Sequence, residues 1–261
     1  MSGWRAGAGD APDAVHDAAF TDDDHFFHRG YLTNEQADED AAELLGLLEV
    51  APRGSVLDAG CGDGRVAVRL ASLGYRVVGV DHDANQLERA RASGRARGVE
   101  VTWVHADLAQ RGALRDHEPF DGAALWFNTW GFGSDADNEA MLRTVAGSVR
   151  AGGLVVIDTL DRERVRQALD LEDGPVVLER EGERQVDRTT YDEGTRRFIT
   201  IRTTSRHEAQ RERVLRQRLY APSEWEEVFD QLGLDPVSIT SRAGRPLGAG
   251  LELVVVGRRR S

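Results

Sequence analysis

The sequence contains no lysine: its 33 basic residues are all arginine, against 45 aspartates and glutamates. That absence excludes a Schiff-base enzyme and a P-loop nucleotide hydrolase, since both need a lysine amine. Cysteine occurs once, as Cys61, so no disulfide closes within the chain and a reducing, cytoplasmic setting is expected. No pair of histidines or cysteines has metal-ligand spacing, so no metal is expected. Long apolar runs are missing too. Those at 154–157 and 253–256 are strand-sized, far below the ~20 residues that span a bilayer, so no membrane partner is expected. The first residues show no basic segment leading into an apolar one, so no secretory leader is expected. With a formal net charge of −12, the surface repels phosphate backbones, and nucleic acid is not an expected partner. Arg162, Arg164 and Arg166 lie close together and read as a solvated helix face rather than a basic groove.

Hydrophobic residues at 40% and charged ones at 30% are ordinary for a globular chain that buries a large core without staples. Residues 1–24 are rich in Gly, Ala and Asp and read as a flexible arm. Residues 25–53 read as a lid and helix: an aromatic cluster from His25 to Tyr31, then Ala37, Ala41, Leu44, Leu45 and Leu48 at helical spacing. From 54 to 159 strands (55–59, 76–80, 99–105, 120–127, 153–158) alternate with helices (65–73, 84–97, 135–150 and a weak one near 108–116). Such alternation demands a parallel sheet covered on both faces. Residues 160–221 hold a helix, 161–171, and alternating stretches at 176–181, 184–191, 196–206 and 211–220, with Asp192-Glu193-Gly194 as a hairpin turn. This segment reads as an antiparallel insertion that caps a substrate. Residues 222–261 return to the core with a helix, 223–232, and an antiparallel strand pair, 236–241 and 252–256. The expected fold is α/β: a doubly wound, Rossmann-like, mostly parallel seven-stranded sheet with an antiparallel β insertion.

The chemistry concentrates in Val56-Leu57-Asp58-Ala59-Gly60-Cys61-Gly62-Asp63-Gly64-Arg65. An apolar strand ends in an acid, turns through alternate glycines and opens a helix, whose free N–H groups favour an anionic ligand group. Cys61 reads as a small residue of the turn rather than a nucleophile. The second strand ends at Asp81, placed to accept ribose hydroxyls, and the third at Asp107, near the base. His82 and His105 flank these acids as walls of a nucleoside pocket. A dinucleotide site would space its glycines G-x-G-x-x-G, which Gly60, Gly62 and Gly64 do not.

The run from Asp58 to Gly64 resembles motif I of class I S-adenosylmethionine-dependent methyltransferases, (D/E)-x-G-x-G-x-G. The resemblance extends to Gly79-Val80-Asp81, Ala106-Asp107-Leu108, Phe120-Asp121 and Ala151-Gly152-Gly153, where Ala replaces the usual Pro, and covers about 26–257. Phe127-Asn128-Thr129-Trp130-Gly131-Phe132 is similar to the (F/N)-x-S-F-G-Y stretch of a bacterial subgroup acting on small molecules, with Trp130 and Phe132 replacing Phe and Tyr. Tyr31-Leu32 and Arg218-Leu219-Tyr220 match that subgroup's Y-L and R-x-Y. The resemblance implies transfer of a methyl group from S-adenosyl-L-methionine to N or O of a small-molecule acceptor. It implies cofactor contacts at Asp58, Gly60, Cys61, Gly62, Asp81, His82, Asp107, Leu108, Trp126, Phe127 and, from the lid, Tyr31. Acceptor contacts are expected at Asn128, Trp130, Arg218 and Tyr220. Phe127 and Trp130 present aromatic faces suited to a sulfonium, or else pack in the core. No catalytic residue is assigned; His25, His28 and His207 are candidates for a general base, each equally readable as a surface histidine. Two other readings keep the fold: an NAD-dependent oxidoreductase, and a non-catalytic S-adenosylmethionine-binding protein.

Overall fold

Strands that are apolar at every position, such as 154–157, need cover on both faces. The computed structural model, which describes residues 20–30, 32–117, 119–171 and 174–261, supplies that cover. The chain starts with α1 (Asp22–His28) and α2 (Asn34–Leu48), then alternates β1 (Ser55–Ala59), α3 (Arg65–Ser72), β2 (Arg76–Asp81), α4 (Ala84–Arg97) and β3 (Thr102–His105). It continues through β4 (Phe120–Leu125), α5 (Asp135–Ser148), β5 (Val149–Leu160) and α6 (Arg162–Leu171). Four strands follow, β6 (Val176–Arg180), β7 (Glu183–Asp192), β8 (Arg197–Arg206) and β9 (Ala209–Arg218), before α7 (Trp225–Leu232), β10 (Leu234–Thr240) and β11 (Glu252–Arg259).

The main sheet has seven strands in the order β10-β11-β5-β4-β1-β2-β3. Only β11 runs against its neighbours β5 and β10. Successive strand residues face opposite layers. Leu57, Ala123, Leu125, Val155 and Ile157 pack with Leu142 and Val145 of α5 and Val228 and Phe229 of α7. Val56, Ala124, Leu154 and Val156 pack with Leu44 and Leu48 of α2 and Val66 and Leu70 of α3. The strand order reverses between β1 and β4, which opens a crevice at their carboxyl ends.

The insertion is a four-stranded antiparallel meander, β6-β7-β8-β9. Asp192 closes its central turn by accepting from the N–H groups of Gly194 (2.8 Å) and Thr195 (3.3 Å). The meander is pinned to the core where Arg218 N–H donates to the Gly131 carbonyl (2.8 Å). Gly131 is a glycine by necessity: φ is +104°, and a Cβ would meet the Arg218 carbonyl oxygen at 2.4 Å.

Three expectations change. The weak helix near 108–116 is a chain of tight turns, Gln110 to Asp107, Ala113 to Gln110 and Arg115 to Gly112, because Gly112 has φ +82°. The third strand begins at Thr102 rather than 99, since the N–H of Val99 still closes α4 on Gly94. The flexible arm, 1–24, lies outside the described residues up to 19, but Asp22–Asp24 already belong to α1. Arg162 and Arg166 pair with Glu224 and Glu193 (each 2.6 Å), so the arginine cluster offers no open basic groove.

Trp130 is fully buried, stacked on Tyr220 (5.1 Å between centroids) and tilted against Trp225 (5.4 Å). Trp130→Ala is expected to lower stability by about 3–5 kcal/mol in urea unfolding; a loss below about 1 kcal/mol would show that this aromatic cluster does not carry the junction between core and insertion.

Candidate active site

A cavity of 1110 Å³ lies over the carboxyl ends of the central strands and continues up to the insertion sheet. Its floor is the turn after β1. The N–H groups of Gly60 and Cys61 both donate to the Val80 carbonyl (2.8 and 2.9 Å), and Gly62 N–H donates to Asp81 Oδ2 (2.8 Å). The glycines serve different ends. A Cβ on Gly60 would strike Thr129 at 2.0 Å, and one on Gly64 would strike the Trp103 ring at 2.5 Å; both are packing constraints. Gly62 has φ +54° and nothing within 4 Å of where a Cβ would stand, so its bare backbone faces open space.

The three strand-end acids share this cavity but differ in character. Asp58 is buried, and burial pushes its pKa up to about 7 against the opposing pull of Arg65 and the Ala67 N–H. Asp81 already accepts from Gly62 and, through Oδ1, from Asp83 N–H (2.9 Å); each oxygen retains a further lone pair. Asp107 stands exposed at the rim, accepting from Ala109 N–H (2.9 Å). Cys61 is buried against Gly79, and burial pushes its thiol pKa up, disfavouring the thiolate.

Beyond β4, Phe127 and Asn128 adopt left-handed backbone, φ +63° and +54°. Such backbone costs about 1–3 kcal/mol at a non-glycine residue. Phe127 N–H donates to Asp158 Oδ2 (2.7 Å) and Asn128 N–H to the Asp158 carbonyl (3.1 Å). The Asn128 and Gln217 side-chain amides face each other, with Gln217 Nε2 donating to Asn128 Oδ1 (2.7 Å) and to the Trp130 carbonyl (3.0 Å). Arg65 and Arg242 lie over the Phe127 ring, 5.0 and 5.4 Å from its centroid, so its π system already meets two cations. Trp126 is buried in the wall, and its indole N–H has no partner among the described residues.

α1 closes the cavity from above. Thr21 and Asp24 form its capping box. Asp24, fully buried, pairs with Arg213 (2.7 Å) and Arg202, and Asp23 pairs with Arg206 (3.0 Å) and Arg211 (3.2 Å) on the insertion sheet. On the other side Asp22 pairs with Arg89 of α4, and His25 Nε2 meets Gln86 Oε1 (2.9 Å). Burial alone would raise the Asp24 pKa; Arg202, Arg213 and the Thr21 hydrogen bonds outweigh it and hold the carboxyl below its ordinary value.

Among the residues expected from the sequence, Asp58, Gly60, Cys61, Gly62, Asp81, His82, Asp107, Leu108, Trp126, Phe127, Asn128 and His28 all line the cavity. Tyr31 lies outside the described residues. Trp130, Arg218 and Tyr220 are corrections: all three are buried away from the cavity, with Arg218 stacked on Tyr220 (4.8 Å) and donating to the Arg196 carbonyl (3.0 Å). Their aromatic and guanidinium surfaces are used in joining the insertion to the core. His207 caps the exposed β8–β9 turn with φ +53°, and His25 is turned to Gln86. Asp24, Asp158, Gln217 and Arg242 were missed. Of these only Asp24 carried a local signal, the Thr21-x-x-Asp24 spacing of a capping box.

Residues 56–153 match the family model described as a methyltransferase domain. Over 117 residues the chain is 33% identical to a ubiquinone biosynthesis O-methyltransferase of Rhizobium etli, a match that spans 44% of each protein. The chain thus matches less than half the length of that curated relative. Among solved structures, an S-adenosylmethionine-dependent methyltransferase from Clostridium acetobutylicum superposes with a TM-score of 0.73 at 13% identity, covering 91% of this chain and 96% of that one. The sugar N-methyltransferase KedS8 from a Streptoalloteichus species does so with a TM-score of 0.66 at 20% identity, covering 97% and 99%. At these identities the likenesses show the fold, insertion included.

The α1 latch is pH-dependent in a definite sense. Because the folded Asp24 pKa lies below the ordinary carboxylate value, its stabilisation is complete above that ordinary value and is lost as pH falls through the depressed folded value. Asp24→Ala strips a buried carboxylate from two guanidiniums, a change worth about 3–5 kcal/mol if the charges stay buried. α1 is expected to open instead, so hydrogen exchange within Asp22–His28 accelerates while β1 and β4 keep their protection. Unchanged exchange there would show that other contacts hold the helix.

Proposed function

We propose that the chain, whose residues 56–153 match a methyltransferase-domain family model, transfers a methyl group from S-adenosylmethionine to a nitrogen or oxygen of a small molecule. The observation that carries this reading is one continuous cavity joining the acid-tipped strand ends to the insertion sheet. At 1110 Å³ it exceeds the ~300–1,000 Å³ of a single-ligand pocket, leaving room for cofactor and acceptor together. The residues present fit the cofactor: bare backbone at Gly62, an unpartnered donor at Trp126, and carboxylates at the rim for hydroxyl groups.

Asp81 would hold the ribose hydroxyls, Asp107 and Leu108 the base, and Asp58 with Gly60 and Gly62 the amino-acid tail. When bound, the cofactor supplies a methyl group on a positively charged sulfur, open to in-line displacement. The chain's part is to align the acceptor and exclude water, which α1 and the insertion sheet do by roofing the cavity. His28 is the histidine that best suits a proton acceptor. Its Nδ1 lies 2.8 Å from the Asp24 carbonyl, an acceptor only, so Nδ1 is the donor, and in the neutral ring Nε2 would be the proton acceptor. The cavity is lined by ten aspartates and glutamates against five arginines. That excess concentrates cations and supports an amine-bearing acceptor, in keeping with the sugar N-methyltransferase that shares the fold.

Incubation with methyl-labelled cofactor and a metabolite extract is expected to yield a labelled amine, and Asp81→Ala to weaken S-adenosylhomocysteine by about 1–3 kcal/mol in calorimetry. Binding without any labelled product would leave a binding protein rather than an enzyme. Asp58 generates a second expectation. An acid titrating at about 7 ionises more readily beside a ligand cation, so binding releases a proton and S-adenosylhomocysteine binds more tightly as pH rises through that value. Titration heats that depend on the buffer's ionisation enthalpy in wild type but not in Asp58→Asn would establish it; buffer-independent heats in both would refute it.

A further inference from the structure

We propose that Arg242 is a positioning residue for the transfer site, acting through Asp158 to splint the left-handed turn Phe127–Asn128 in the cavity wall. Its functional consequence rests on the methyltransferase reading; the splint itself does not.

The turn has little else to hold it. β4 ends at Leu125, so the backbone of Phe127 and Asn128 lies beyond sheet pairing, and both of its N–H groups go to Asp158, one to the carboxylate and one to the carbonyl. Asp158 can serve only if its carboxylate is held in one orientation. It is 3% exposed, and burial pushes its pKa up. Arg242, from the loop between β10 and β11, supplies the opposing hold with two N–H groups, Nε to Oδ1 (3.1 Å) and Nη2 to Oδ2. A fork of this kind fixes orientation as well as charge.

Arg242 is itself immobilised from three sides. Its Nη1 donates to Asp40 of α2 (3.1 Å), whose other oxygen takes Arg65 (2.5 Å). Its guanidinium lies over Trp126 (4.7 Å) and Phe127 (5.4 Å). The next residue, Ala243, has φ +56° and donates its N–H to Glu43 (2.5 Å). Elements distant in sequence thus converge on one guanidinium, which holds the carboxylate that serves the turn. Among the described residues the other consecutive pair of left-handed non-glycine residues, His207–Glu208, is an exposed hairpin turn whose first N–H donates to Glu183 (3.1 Å).

Neutralising a buried acid is a different role, and three variants separate the two. Arg242→Lys keeps the charge and loses the fork. Arg242→Gln loses both. Asp158→Asn/Arg242→Gln keeps a carbonyl for the Phe127 N–H and needs no cation. In the apo protein, exchange of the Phe127 amide is expected to accelerate about tenfold or more in both single variants and to return to within about threefold of wild type in the double variant. Affinity for S-adenosylhomocysteine is expected to follow the same order. Wild-type exchange in Arg242→Lys, or a double variant no better than Arg242→Gln, would overturn the proposal. If Arg242→Gln does not fold, Arg242→Lys and the double variant still decide it. Failure of the wild type to bind S-adenosylhomocysteine would count against the methyltransferase reading alone, because amide exchange is read without ligand.

Discussion

Two acceptors on β2, the carbonyl of Val80 and the carboxylate of Asp81, take three successive backbone N–H groups from the turn after β1. A turn with φ values of +72°, +54° and +76° has few alternative partners, and unpaired buried N–H groups are costly. This bond set ties β1 and β2 together at their carboxyl ends. Around it the other constraints fall into place: Thr129 fills the space above Gly60, Trp103 the space beside Gly64, and only Gly62 is left bare. Of the three glycines, only Gly62 thus offers bare backbone to the cavity.

Charge pairing builds the rest of the site, and arginine supplies the short pairs that hold it. The insertion sheet meets α1 through Arg202, Arg206, Arg211 and Arg213, and the cavity wall meets α2 through Arg65 and Arg242. A guanidinium offers a planar fork of donors and is less strongly hydrated than an ammonium, so it suits pairs that are buried and directional. The chain's lack of lysine is therefore consistent with how its polar junctions are made. Roof and floor are also held differently. Hydrogen bonds within the backbone fix the floor, whereas ion pairs between distant segments fix the roof.

Local signals in the chain were enough for the floor. Asp58, Gly62, Asp81 and Asp107 each end or follow a strand, and strand ends in a doubly wound sheet converge wherever the strands are parallel and adjacent. Arg218 and Tyr220 show the opposite case. They end an insertion strand near the site, but burial turned them to the junction with Trp130, and no periodicity distinguishes a wall residue from a joint one step away.

What the sequence determined by itself was the class of fold, the glycine turn and the ladder of acids, because each depends on residues within a few positions of one another or on strand alternation. What the tertiary structure alone decided was the turn at Phe127–Asn128 with its Asp158–Arg242 support, and the clasp of Asp24 on the insertion sheet. Those contacts join residues 84 and 189 positions apart. A charge in sequence shows that it will need a partner if buried; only the packed chain shows which of many arginines arrives.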